Sequence, residues 1–163
     1  MTAPVSFTQL VERHRAEILA YLVRILGHEH DAQDVCQEAL MRAFRAFGRL
    51  DGTANTRAWL FKIATNRALS ALARRRRGST RTAEIDPETL PALAALGPDR
   101  RERLQVVLRA VQTLPPKQRA ALMQRRFHDL GYDEIAHSLG CSEGAARANV
   151  YQAIKSLRRL LEE

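Results

Sequence analysis

Four side chains near the end of the chain, Arg147, Asn149, Gln152 and Lys155, carry groups able to read DNA bases. Arginine donates two parallel N–H bonds to guanine, and asparagine and glutamine pair in a similar bidentate way with adenine. Their spacing places them on one helix, entered through Gly140-Cys141-Ser142. Gly140 stands where the chain must turn sharply between two crossing helices. Ser142 has the side chain of an N-cap, and Glu143 adds negative charge to the first turn. Before the turn, Ile135, Ala136 and Leu139 share an inward face, and Ala136 and Ala146 are small enough for close crossing. The pattern meets the requirements of a helix-turn-helix, whose second helix lies in a major groove. Arg158 and Arg159, further along, suit phosphate or solvent.

A second set of cations closes an earlier helix, read over residues 56–77, as Arg74-Arg75-Arg76-Arg77. Four arginines there complement the helix dipole, and they also make an effective phosphate-binding end. Trp59 and Phe61 on this helix are two positions apart and cannot share a face, so at least one is expected to be partly exposed or held under the preceding loop. The helix before it, over 31–47, has apolar residues at Ala32, Val35, Cys36, Ala39, Leu40, Ala43, Phe44 and Phe47. These steps alternate between three and one and predict a narrow buried face. The other face carries Asp31, Asp34, Gln37, Glu38, Arg42 and Arg45. It is either solvated or a docking surface for a protein. Cys36 falls on the buried face and reads as packing.

Enzymatic chemistry finds no support. His14, His28, His30, His128 and His137 make no metal spacing with carboxylates, and no glycine loop exists to cradle phosphate. His28 and His30 flank Glu29 in what reads as a solvated turn. Two distant cysteines, Cys36 and Cys141, form neither a disulfide framework nor a zinc site. No metal or cofactor is expected, and the absence of an aromatic sheet platform argues against a common RNA-binding module.

The elements that must position these residues are helices throughout. Alternating strand patterns are missing, so the expected class is all-α. The 163 residues allow one ordinary domain or two small ones. Hydrophobic residues make up 45% and charged residues 27%, which excludes wholesale disorder. The net charge of +8 suggests a polyanionic partner. It divides unevenly, with +6 over residues 1–77, −1 over 78–103 and +3 over 104–163. The middle stretch holds Pro87, Pro91, Pro98, Gly78 and Gly97, and reads as a linker between two basic modules. Its Leu90, Leu93, Ala94 and Leu96 are apolar enough to dock or to form a helical turn. Ser6 or Thr8 caps a first helix that runs to Leu26 and ends at Gly27. In the last module a helix over 104–113 breaks at Leu114-Pro115-Pro116, and Pro116 opens the next one, to about Phe127. No apolar run approaches the roughly 18 residues that span a bilayer. Met1-Thr2-Ala3-Pro4 lacks the basic start and apolar run of an export signal, so a reducing cytoplasm is the expected setting.

Taken in order, these strings resemble a family. Asp31-Ala-x-Asp34-x-x-Gln37-Glu38-x-x-x-Arg42-Ala43-Phe44, then Thr56-Arg-Ala-Trp59-Leu60-Phe61-Lys62-Ile63-Ala64-Thr65-Asn66-Arg67 and the arginine run, resemble region 2 of bacterial extracytoplasmic-function sigma factors. Leu114-Pro115-x-x-Gln118-Arg119 with the helix-turn-helix is similar to their region 4. The resemblance implies a helical region 2 domain over 1–77, a flexible linker over 78–103 and a region 4 domain over 104–163. It implies that Asp31, Asp34, Gln37, Glu38 and Arg42 dock on the β′ clamp of core RNA polymerase, with a further contact to the β flap. Asn55, Trp59, Lys62, Asn66, Arg67 and Arg74 to Arg77, beside the 48–55 loop, would engage and melt the minus-ten element. Ser142, Glu143, Arg147, Asn149, Gln152 and Lys155 would hold the minus-thirty-five element. An anti-sigma factor and a stress or envelope-response regulon are implied as well. Family members often carry Arg at the positions of Asn149 and Gln152, and Asp at that of Ser70, so weaker phosphate binding and a shifted base preference are expected here. A stand-alone helix-turn-helix regulator, with 1–77 as a sensing or dimerisation domain, is the rival reading. It predicts duplex binding without polymerase.

Overall fold

A computed structural model describes residues 4–52, 54–78 and 95–163. Among these, all regular structure is helical, in seven helices: α1 (Phe7–Leu26), α2 (Glu29–Phe47), α3 (Thr56–Gly78), α4 (Pro98–Thr113), α5 (Pro116–Phe127), α6 (Tyr132–Leu139) and α7 (Glu143–Glu162). The all-α class follows the reading of the sequence. The apolar residues Leu90, Leu93 and Ala94 lie outside the described residues.

Local chemistry sets most boundaries. Ser6 opens α1 with a capping box, its hydroxyl accepting from Gln9 N at 3.2 Å while Gln9 Oε1 accepts from Ser6 N at 2.9 Å. Gly27 closes α1 at φ 72°, and a Cβ there would come within 3.0 Å of Gln112. The helix α2 starts at Glu29, two residues before the expected Asp31, because His28 caps it through Nδ1. Asn55 caps α3, accepting from Ala58 N at 3.1 Å. The helix α4 begins at Pro98, six residues inside the stretch read as linker. Gly97-Pro98 looked like punctuation, but proline at the first helical position starts a helix rather than breaking one.

Helices α1 to α3 form one bundle and α4 to α7 another, with α5 and α6 both packed on α7. The two bundles also meet. The helix α6 lies along α3, and α5 lies against α1. Their buried residues join in one core that runs from Leu10 to Ala153.

The seam between the bundles is polar as well as apolar. Tyr21, Thr65, Gln124 and Ser138 are all fully buried there. Tyr21 Oη lies 2.7 Å from Thr65 Oγ1. Gln124 Nε2 donates to Tyr21 Oη at 2.8 Å, to Ser138 Oγ at 2.6 Å and to Thr65 Oγ1 at 3.2 Å. A second knot finishes the end of α1. Its last carbonyls have no partner within the helix, and side chains from elsewhere supply donors. Gln112 Nε2 reaches Arg24 O at 3.0 Å, Arg119 Nη1 reaches Ile25 O at 2.8 Å, and Arg75 Nη1 reaches Leu26 O at 3.0 Å. Arg119 also binds Gln112 O and Leu114 O through Nη2, at 2.7 and 3.0 Å. Burial pushes its guanidinium down to about 10.

Candidate nucleic-acid and protein interfaces

The turn and second helix of the helix-turn-helix form as the residue types require. Gly140 takes the left-handed conformation at φ 65°, and Ser142 Oγ accepts from Ala145 N at 3.1 Å. Ala146, Val150 and Ala153 are buried. The outward face of α7 therefore holds Arg147, Tyr151, Gln152 and Lys155, all exposed. Asn149 is turned back on its own helix, with Nδ2 donating to Ala145 O at 3.0 Å. Ser142 is engaged as the cap. Glu143 pairs with Arg147 at 3.2 Å. Of the six residues expected at the upstream element, Arg147, Gln152 and Lys155 present their polar ends outward. Tyr151 is 63% exposed and was missed. Its signal was available, since the buried 146–150–153 row leaves 147, 151 and 155 on the opposite side.

In the first bundle the two expected sets of residues are partly paired with each other. Arg75 Nη2 meets Asp31 Oδ2 at 2.5 Å, and Arg67 Nη1 meets Glu38 Oε1 at 3.0 Å. Arg67 also reaches Ser70 Oγ at 3.2 Å. Glu38 lies 4.0 Å from Arg42 Nε. The four arginines thus do not act alike. Arg75 turns inward to α1 and α2, while Arg74, Arg76 and Arg77 are exposed. Trp59 is half-buried beside Phe47, with ring centroids 6.4 Å apart, and Phe61 is fully buried, as their spacing requires. Lys62 is half-buried and Asn66 exposed. Asn55 caps α3 with its oxygen and donates through Nδ2 to Glu134 of α6 at 2.9 Å.

Phe44 is a correction. The apolar spacing put it on the buried face of α2, but it is 66% exposed. At about 100° per residue, Phe44 lies about 120° round the helix from the middle of the buried row of Ala32, Val35, Cys36, Ala39 and Ala43. Among the described residues its aromatic support is an edge contact with Phe7 at 5.3 Å between centroids. Phe44 and exposed Met41 border a groove of about 920 Å³ between α1 and α2, which Asp34, Gln37 and Arg45 also line. The outer face of α2 is thus mixed, with apolar side chains among its charges.

Sequence reasoning also missed a titratable cluster at the seam. Arg57 of α3 binds both the Glu17 carboxylate of α1 and the His128 carbonyl. His128 Nδ1 lies 3.3 Å from Glu17 Oε1, and its Nε2 lies 3.4 Å from Arg24 Nη1. A carboxylate on one side and a guanidinium on the other fit the neutral ring with its proton on Nδ1. Burial lowers the His128 pKa below its ordinary value, although Glu17 works against this. The Glu17 carboxyl is held below its ordinary value by Arg57 and His128, against the opposing effect of burial. Nothing in the sequence neighbourhood of His128 announced these partners.

Residues 10–78 match Sigma-70 region 2, and residues 104–157 match Sigma-70 region 4. The chain is 34% identical to the RNA polymerase sigma-H factor of Pseudomonas aeruginosa over 168 residues, covering 96% of this chain and 86% of that one. It is 30% identical to the ECF RNA polymerase sigma-E factor of Escherichia coli, covering 93% and 84%. The chain belongs to the extracytoplasmic-function family of RNA polymerase sigma factors.

As a sigma factor it binds core RNA polymerase and promoter DNA and directs promoter-specific initiation; it is not an enzyme. It spans 48% of the ECF sigma factor SigG of Mycobacterium tuberculosis, to which it is 32% identical. Its fold is similar to that of CnrH, solved in complex with the cytosolic domain of CnrY, with TM-score 0.71 and 27% identity over 96% of this chain and 87% of that one. The sigma factor RpoE of Bartonella quintana, solved with the anti-sigma factor NepR, shares the fold at TM-score 0.73 and 23% identity, covering 96% of each chain. Among the described residues of this sigma factor, no helix is long and apolar enough to cross a membrane, and no group of three His, Cys, Asp or Glu could hold a metal ion.

Proposed function

We propose that this sigma factor divides its work among three surfaces. The outer face of α2, with Asp34, Gln37 and Arg42 flanked by Met41 and Phe44, docks on the β′ clamp. Asp31 and Glu38 support that face through their ion pairs to α3. Trp59, Lys62 and Asn66 take the unstacked bases of the minus-ten element, where aromatic and amide groups beside cations suit single-stranded DNA, while Asn55 caps the helix that carries them. Arg74, Arg76 and Arg77 hold its phosphates, and Arg67 and Arg75 brace the helix. On α7, Arg147, Gln152 and Lys155 read the minus-thirty-five duplex, while Ser142, Glu143 and Asn149 shape the helix.

The carrying observation is what remains once internal pairs are set aside. The exposed groups fall into one mixed acidic, basic and apolar face on α2 and into cation-bearing DNA faces on α3 and α7. Residues 1–77 thus act as the clamp and minus-ten module, 78–103 as the connection and 104–163 as the upstream module. The second bundle also offers the β flap an apolar groove of about 520 Å³, lined by Leu108, Leu122, Phe127 and Leu157 among others. The chain acts in the cytoplasm on a stress or envelope-response regulon. An anti-sigma factor holds it inactive, a reading supported by the partner named for the Bartonella quintana relative.

Run-off transcription with core polymerase and genomic promoter fragments tests the assignment. Promoter-specific transcripts that depend on the chain are expected. Tight promoter-duplex binding without polymerase, and no transcripts with it, would favour a stand-alone regulator.

A further inference from the structure

The ring of Tyr132 carries two guanidinium groups. Arg147 Cζ lies 4.4 Å from its centroid and Arg125 Cζ lies 4.6 Å from it. The three residues come from three elements, Arg125 from α5, Tyr132 from the first turn of α6 and Arg147 from α7. Arg125 is fixed further by donating from Nη1 to Leu130 O at 3.2 Å. Tyr132 is half-buried and packs on the core of the second bundle, so the ring is a rooted platform rather than a mobile surface group.

Arg147, by contrast, stands out in solvent with a flexible stem. Among the described residues it pairs with Glu143, which sits a turn earlier on the same exposed face. Such a pair contributes little to holding a long side chain in place. A guanidinium over an aromatic face is held by the ring quadrupole and keeps its N–H edges available for other partners.

We infer that Tyr132 is a positioning residue for base reading, its ring pre-setting the Arg147 guanidinium at the mouth of the recognition helix. The inference rests on the reading of Arg147 as a base contact. Bidentate pairing needs both N–H groups aimed at one base edge. A platform that removes rotamer freedom before binding strengthens that pairing without touching DNA. Arg125 occupies the same ring and adds positive charge beside it, which favours an Arg147 directed outward to an anionic duplex.

The test uses holoenzyme assembled from core polymerase and the full chain, with a promoter library randomised over the upstream element. Enrichment at each base position is compared for the unaltered chain, Tyr132→Leu, Tyr132→Phe and Arg147→Ala. Arg147→Ala should flatten preference at one or two positions. Tyr132→Leu should reduce preference at those same positions about two- to fivefold, the range of an exposed cation–π contact. Tyr132→Phe, which keeps the ring, should retain it. Thermal melting of each variant is measured alongside. If Arg147→Ala flattens those positions while Tyr132→Leu leaves them unchanged, the positioning role is refuted and base reading stands. A Tyr132→Leu variant that weakens all positions equally also overturns it, by assigning the ring to folding. If Arg147→Ala itself changes no preference, base reading by Arg147 fails and the positioning role fails with it.

Discussion

Tyr21→Phe removes one oxygen and little else, which makes it a sharp probe of the seam. That oxygen lies 2.7 Å from Thr65 and accepts from Gln124 at 2.8 Å, in a site closed to water. Its loss takes one partner each from Thr65 and Gln124, which stay bonded to each other and to Ser138. A single hydrogen bond lost from such a network contributes about 0.5–1.5 kcal/mol. Taking about 1 kcal/mol, and about 2–4 °C per kcal/mol for a chain of this size, the melting temperature should fall by about 2–4 °C. Circular dichroism at 222 nm gives the measurement. Tyr21 and Thr65 belong to the first bundle, Gln124 and Ser138 to the second. A double-mutant cycle of Tyr21→Phe with Gln124→Met therefore isolates contact across the seam. Residues in one network couple by about 0.5–3 kcal/mol, whereas independent sites add to within about 0.3–0.5 kcal/mol. Additivity within that limit would refute the shared core, whatever the single variants do.

Three further outcomes follow from the same geometry. Stability should fall as pH drops below about 6.5, the ordinary histidine value, because burial lowers the pKa of His128 and of His14 and the unfolded chain then takes up protons the folded one refuses. A second loss should begin below about 4.5, as Glu17 is protonated and Arg57 loses its carboxylate; urea melts across pH, with His128→Gln flattening the first phase, check both. Arg119→Met should destabilise by about 2–4 kcal/mol, since Ile25, Gln112 and Leu114 lose donors to buried carbonyls, and Arg119→Lys should recover only part because one ammonium cannot span them; urea midpoints decide it. Phe44→Ala should leave stability within about 0.5 kcal/mol, because the ring is exposed, yet weaken core-polymerase binding about fivefold or more; melting and fluorescence competition separate the two.

Features set by nearby residues were legible in the sequence. Ser6, Gly27, Gly140 and Ser142 mark helix ends through bonds within a few positions, and each does so in the structure. The inward row of α6 follows from periodicity alone. Contacts between distant segments were not legible. Gln124 finds Tyr21 from 103 positions away, and Arg119 finds Ile25 from 94. Within its own helix Gln124 is merely one polar residue between Met123 and Arg125. The same limit applies to the binding sets. Residue types placed Arg75 beside Arg74 and Arg76, but only the packing of α1 and α2 shows that Arg75 is committed to Leu26 and Asp31. Asn149 has the chemistry of a base reader and spends it one turn back.

The packing of α6 on α3 has a consequence of scale. The centres of the minus-ten and minus-thirty-five elements are about 25 base pairs apart, or about 85 Å along duplex DNA at 3.4 Å per pair. A compact chain of 163 residues has a radius of gyration of about 15 Å and hence a diameter of about 40 Å. On the assignments proposed here, the closed chain can lie on one element but cannot bridge both. Promoter engagement would then select an extended form, with the closed one a competitor for the same polypeptide. Apparent affinity for the promoter complex scales with the extended fraction. Every 1.4 kcal/mol gained by the Tyr21–Gln124 and Glu17–His128 contacts lowers it about tenfold. Substitutions far from any DNA or polymerase contact would then tune how much sigma factor a cell must make before its promoters respond.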